Sequence, residues 1–112
     1  VDFSPGGRQL VSASHDKTAK LWNIDTGEQV RTFAGHEDFV VGVAFSPNGR
    51  QLATASDDGT VRLWDTDTAT ELLTINAHQN GTFCVLFSPD GLQLAAGGFS
   101  KVTLWDLAPL GL

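Results

Sequence analysis

From Gly35 to Asp65 the chain reads GHEDFVVGVAFSPNGRQLATASDDGTVRLWD. The stretch opens on Gly-His, closes on Trp-Asp, and holds three strand-like runs parted by two turn signals, Pro47-Asn48-Gly49 and Asp58-Gly59. Outward from it, the same features return. Phe45-Ser46-Pro47 has copies at Phe3-Ser4-Pro5 and Phe87-Ser88-Pro89, each 42 residues away. Gln51-Leu52 recurs as Gln9-Leu10 and Gln93-Leu94, His36 as His78, and Trp64 as Trp22 and, one residue early, Trp105. A period of this length marks one supersecondary unit used several times over.

Within each copy the local chemistry predicts strands and tight turns. In Pro5-Gly6-Gly7, Pro47-Asn48-Gly49 and Pro89-Asp90-Gly91, Pro presets φ and Gly supplies φ > 0. Each turn feeds a second strand, expected at Gln9–Ser14, Gln51–Ser56 and Gln93–Gly98. After a further turn a third strand is expected at Thr18–Asn23, Thr60–Asp65 and Lys101–Asp106, and a fourth at Glu28–Ala34 and Glu71–Asn76. The first strand is complete in the middle copy, Phe39–Ser46, while Val1–Ser4 reads as the tail of one. Val61 and Leu63 face one way and Arg62 and Trp64 the other, a period of two. No segment sustains a helical period. The chain reads as all-β, with about eleven short strands.

Four antiparallel strands per ~42 residues, closed by Trp-Asp, are the cue for a propeller blade. Gly35-His36, Trp64-Asp65 and the Phe-Ser-Pro strand end resemble the WD40-repeat family, and the likeness covers essentially the whole chain. Its specificity lies in several positions recurring together at fixed offsets. The resemblance implies a partial β-propeller of four-stranded antiparallel blades set radially around a channel, about 2.75 of them. Residues 1–34 would form a partial first blade plus the fourth strand of the next repeat. Residues 35–76 would form the complete central repeat plus the following fourth strand, and 77–112 the last repeat and a C-terminal tail, all in one domain. Closed propellers have four to eight blades. The chain is therefore expected to be a fragment of a larger, seven-bladed ring, or a unit that closes a ring with other copies. The start in mid-strand favours the fragment. An uncovered blade face of several hundred Å², at about 25 cal/mol per Å², costs on the order of 10 kcal/mol, so a self-sufficient monomer is not expected.

Composition narrows the function. Thirteen acidic against seven basic residues give a net charge of −6, with no Lys/Arg cluster. That balance disfavours nucleic acid and anionic lipid, which both demand positive charge. Apolar runs are too short to cross a membrane. A single cysteine, Cys84, excludes an intrachain disulfide and fits a reducing, cytoplasmic compartment. The chain opens on Val1, which is compatible with a removed N-terminus.

His36, Thr54, Asp58 and Trp64 form the constellation that most resembles an active site. They match the family's structural tetrad position by position, and their chemistry favours that role. Indole N–H only donates, hydroxyl and neutral imidazole do both, and carboxylate only accepts, so one buried line satisfies all four. An acid/base site would instead need an exposed, poised group. Ser12, Asp16 and Trp22 match three of the four positions in the first copy. In the last copy Ala96 replaces the hydroxyl and a deletion around Gly98-Phe99-Ser100 removes the Asp, so His78 and Trp105 are left without intermediates and the third blade should be the looser.

No metal or cofactor is expected. His36 and His78 occupy equivalent sites in successive blades and each faces its own, whereas a metal needs three or four convergent ligands. Asp57-Asp58 and Asp65/Asp67 sit at turns, and Asp57–Gly59 lacks calcium-loop spacing. Gly97-Gly98 has neither the Lys nor the helix of a phosphate cradle, so a strand irregularity is expected there. Cys84, with no neighbouring base, should be a buried small hydrophobe.

The resemblance also implies where a partner would sit: at the top of each first strand and just before the tetrad Asp. Those positions are Phe39, Val41 and Asp57 in the middle copy, His15 in the first, and Gly81 and Phe83 in the last. Phe99, pushed out by the shortened turn, is a further candidate. Phe39, Val41 and Phe83 would make an apolar patch rimmed by Glu37, Asp38 and Asp57, suited to a protein or peptide with a basic and apolar contact surface. The competing reading packs Phe39 and Phe83 between blades. The expected function is a non-catalytic protein-interaction scaffold, the remaining blades coming from the parent chain or from other copies. The alternative is a sensory or regulatory arm of a larger multidomain signalling enzyme, a kinase or NTPase. A hydrolase built on the propeller itself has no nucleophile–base pair to work with.

Overall fold

In the computed structural model, which describes residues 1–78 and 81–108, the turn signals divide the chain into eleven strands. They are β1 (Asp2–Phe3), β2 (Gln9–Ala13), β3 (Thr18–Asn23), β4 (Gln29–Ala34), β5 (Val40–Phe45), β6 (Gln51–Ser56), β7 (Thr60–Asp65), β8 (Glu71–Asn76), β9 (Cys84–Phe87), β10 (Gln93–Gly97) and β11 (Val102–Asp106). Consecutive strands pair antiparallel in three sheets, β1 to β4, β5 to β8 and β9 to β11. The expected strands stand, with ends trimmed by a residue at Val1, Ser4, Ser14, Glu28, Phe39, Ser46, Gly98 and Lys101.

The repeat is visible in the registers. Leu10 lies opposite Trp22, Leu52 opposite Trp64 and Leu94 opposite Trp105. Both four-stranded sheets shift register at the same place, between Leu21 and Trp22 and between Leu63 and Trp64. Such a bulge adds local twist where the outer strand joins.

Period-two alternation gives each sheet two usable faces, and the apolar groups gather between sheets. Val11, Ala19, Leu21 and Phe33 of the first sheet meet Val40, Val43, Phe45, Leu52 and Trp64 of the second. Ala44, Ala53, Ala55, Val61 and Leu63 of the second meet Val85, Leu94 and Ala96 of the third, with Leu107. Inner strand β5 packs against β1 and β2 on one side and β9 on the other. These are three blades of a partial propeller.

The two boundaries use corresponding atoms. Val40 N–H donates to Ser14 O at 3.1 Å, and one repeat later Thr82 N–H donates to Ser56 O at 3.0 Å. The rings of Pro5 and Pro47 each lie 3.4 Å from where a Cβ on Gly49 or Gly91 would stand. One step, repeated, relates the blades.

Two expectations at the third blade are corrected. Cys84 is exposed, because among the described residues no further blade lies against its side of the third sheet. Gly97 and Gly98 mark close approach rather than a strand irregularity. The ladder runs without a register shift through Gly97, and added Cβ atoms would lie 2.8 Å from Cys84 Sγ and from the His78 ring.

Candidate partner-binding site

The central blade holds its loops with a continuous polar line. Trp64 Nε1–H donates to Thr54 Oγ1 at 3.0 Å, Thr54 lies 2.6 Å from His36 Nε2, and His36 Nδ1 lies 3.0 Å from Asp58 Oδ2. The Asp58 carboxylate only accepts, so Nδ1 carries the proton; Nε2 of the neutral ring then accepts from the Thr54 hydroxyl, whose oxygen accepts from Trp64. Asp58 also accepts from the Glu37 and Thr60 N–H groups and the Thr60 hydroxyl.

Burial holds the His36 pKa below its ordinary value near 6.5, against the upward pull of the Asp58 hydrogen bond and charge. Burial alone would raise Asp58, but hydrogen bonds from Thr60, Glu37 and His36 outweigh it and hold the carboxyl well below the usual range. The pair at neutral pH is imidazole and carboxylate. This line ties the loop before β5 to the turn after β6, and it sets the height of the residues above it.

In the first blade Trp22 Nε1–H donates to Ser12 Oγ at 2.9 Å. Asp16 is exposed and turns instead to the Thr18 N–H and to Lys20 Nζ at 3.0 Å. Hydrogen bonding from Thr18 and from Lys20 lowers its pKa.

The third blade replaces what Ala96 lacks. Thr103 stands directly opposite Ala96 in the ladder, and its Oγ1 lies 3.1 Å from His78 Nε2. Thr82 Oγ1 lies 3.4 Å from His78 Nδ1. His78 thus has two hydroxyl partners that a position-by-position reading misses. The available signal is the threonine facing the missing one across the strand pair.

Above these lines, the loops before each inner strand and the turns after each second strand share one end of the sheets. His15 stacks on Phe39 across the first boundary, with ring centroids 4.4 Å apart and planes at 12°. Asp57 N–H donates to Phe39 O at 3.0 Å, which sets Asp57 beside that stack. Gly81 follows: a Cβ there would stand 3.6 Å from Asp57 Cα and 3.5 Å from Phe83 Cε1. Phe83 meets Phe99 edge to face at 4.6 Å.

His15, Phe39, Asp57, Phe83 and Phe99 are exposed, Phe99 by 76%. Val41 is half-buried at the register shift between Val40 and Gly42, and Gly81 is buried. Glu37 is exposed, whereas Asp38 is half-buried and accepts the Phe39 N–H at 2.8 Å. Phe39 and Phe83, at 40% and 39% exposure, present part of their rings to solvent. Among the described residues no three His, Cys, Asp or Glu side chains converge as metal ligands, and no helix is long and apolar enough to cross a membrane.

Comparison with known proteins adds the family. The model described as "WD domain, G-beta repeat" matches residues 1–23, 27–65 and 69–106. A Notchless protein homolog from Arabidopsis thaliana is 53% identical over 36 residues, 32% of this chain and 8% of that protein. A probable serine/threonine-protein kinase PkwA from Thermomonospora curvata is 45% identical over 40 residues, 36% of this chain and 5% of that protein. A nuclear distribution protein PAC1 from Coprinopsis cinerea is 45% identical over 38 residues, 34% of this chain and 9% of that protein. The matched stretches thus span under a tenth of each of these relatives.

Proposed function

The chain belongs to the WD40-repeat family, and on that premise we propose that it is a non-catalytic, cytoplasmic protein-interaction scaffold. The observation that carries this reading is the row His15, Phe39, Asp57, Phe83, Phe99, drawn from three blades onto one end of the sheets. Exposed aromatic rings rimmed by acids suit a protein or peptide surface that is basic and apolar together. The rigid sheets below hold that row in a fixed shape, which limits the ordering penalty on binding.

The remaining apolar faces suit further blades, from the parent chain or from other copies. Leu86, Val102 and Leu104 line one exposed face of the third sheet. Their counterparts Ala44, Val61 and Leu63 are buried against it.

Affinity capture from a cell extract tests the scaffold reading. Proteins retained by the unmodified chain should be lost with Phe39→Ala, Phe83→Asp and Asp57→Lys combined. Capture unaffected by the triple change would defeat this site. A second reading, a regulatory arm on a signalling enzyme, draws its support from the match to a probable serine/threonine-protein kinase. A kinase or P-loop signature in the same reading frame would favour it.

A further inference from the structure

Each boundary between blades joins two unlike faces, and the chain builds that joint twice. The first sheet offers Val11, Ala19 and Leu21 to the second, and the second offers Ala53, Val61 and Leu63 to the third, all of them buried. The phenylalanine that ends the next inner strand fills each offering face. Phe45 shares a core with Val11 and Leu21, and Phe87 packs against the core that holds Ala53 and Leu63. Beside it, the proline of one blade meets a glycine of the next, Pro5 at Gly49 and Pro47 at Gly91, each 3.4 Å from a Cβ position.

Both halves of the joint occur once more without a mate. On the third sheet Leu86, Val102 and Leu104 are exposed, and a hollow of about 270 Å³ is lined by Leu86, Phe87, Ser88, Gln93, Ala95 and Leu104. A cavity of about 150 Å³ takes benzene, so the hollow has room for a phenyl ring. Pro89, next to Ser88, is exposed. On the first sheet Phe3, the counterpart of Phe45 and Phe87, is exposed. Gly7 is the counterpart of Gly49 and Gly91, and among the described residues no atom beyond its chain neighbours lies within 4 Å of where its Cβ would stand.

We propose that the third sheet of one chain receives the first sheet of a second copy, with Phe3 in the hollow and the Pro89 ring on Gly7. This rests on the reading that other copies can supply further blades. The occupant follows from the two joints inside the chain, where the same apolar face is covered each time by a phenylalanine at this position and a glycine at the turn. Because unlike faces meet, the contact runs head to tail. Repulsion between copies of net charge −6 opposes it, so the contact forms in concentrated solution and Leu104 stays in water in dilute solution.

Sedimentation of the 112-residue chain tests this. Between about 10 µM and about 1 mM the chain should pass from single copies to larger species. Phe3→Asp and Leu104→Asp should each weaken that association by at least about tenfold. Both side chains are exposed in the separate chain, so each variant should keep a dispersed amide spectrum. Mixed in equal amounts, the two variants should associate again, and into pairs only. The Phe3→Asp copy still has its third-sheet face, and the Leu104→Asp copy still has its first-sheet face. In a mixture of labelled and unlabelled chain, Overhauser contacts filtered for pairs of copies should join the Pro89 ring to Gly7.

A chain that stays single at about 1 mM would overturn the contact and leave this face to further blades of a longer chain. Association that survives Leu104→Asp, or variants that do not recover on mixing, would overturn it too, since like faces would then be meeting. The scaffold reading fails separately. A captured partner lost with the Phe39, Phe83 and Asp57 triple change, from a chain that stays single, would keep the scaffold and remove the self-association.

Discussion

Replacing Thr54 by Val would leave the Trp64 indole N–H and His36 Nε2 without their common partner, inside a blade where Thr54 is wholly buried. A buried polar group left unpaired costs about 1–3 kcal/mol. Thr54→Val is therefore expected to lower the unfolding free energy by roughly 2–4 kcal/mol, and Thr54→Ser by much less, as read from urea denaturation. The same line makes stability depend on pH. Folding holds the His36 and Asp58 pKa values below their unfolded ones, so the unfolded chain binds more protons as pH falls. The stability these groups contribute is present in full above pH about 6.5. It drops through the His36 window below that, and further through the Asp58 window below pH about 4. Urea midpoints at pH 7 and pH 5 should differ in the unmodified chain, and His36→Gln should shrink the difference. An unchanged difference in that variant would place the titration elsewhere.

At the scale of elements, the repeat permits each blade to serve as the control for its neighbour. Lys17 has φ +75 where the next copy has Gly59 at +87. Relieving that left-handed backbone, Lys17→Gly should raise stability by roughly 0.5–1 kcal/mol. Gly59→Lys should be severely destabilising, since a Cβ there would stand 2.5 Å from His78 O. Denaturation of the two variants should move in opposite directions. For the third blade, which we propose is the looser, Ala96→Thr alone should give no large gain in melting temperature, because Thr103 already meets His78 Nε2 and no counterpart of Asp58 anchors the other side of that ring. A large gain would count against that account. Faster amide exchange in β9 to β11 than in β5 to β8 would support it. The strands and their pairing were legible because alternation and Pro-x-Gly turns are local, and one copy could be checked against another. What surrounds a side chain was not legible. Cys84 looks like any small core residue in sequence, and its exposure depends on what lies against the far side of the sheet. Thr103 and Thr82 were missed because their positions carry other residues in the central copy. Only the fold brings them to His78.

For the whole molecule, what matters is that each sheet is sealed by its neighbour, so equal sequence positions have unequal worth. Leu63 is 0% exposed between two sheets, whereas Leu104, its counterpart, is 64% exposed. Leu63→Ala should cost about 2–4 kcal/mol and Leu104→Ala under about 1 kcal/mol in the same denaturation series. Phe45 and Phe3 repeat the contrast at the other boundary, at 7% and 62%. The scaffold depends on this stacking, since it alone lines up His15, Phe39, Asp57, Phe83 and Phe99 from successive sheets. The most direct test is a nuclear Overhauser spectrum of the labelled chain. Cross-peaks are expected between the Pro5 ring and Gly49 and, one repeat on, between the Pro47 ring and Gly91, both contacts arising from one step between neighbours. Cross-peaks joining the first sheet directly to the third, in place of that pair, would mean that the sheets close as a sandwich and that the aromatic row does not exist.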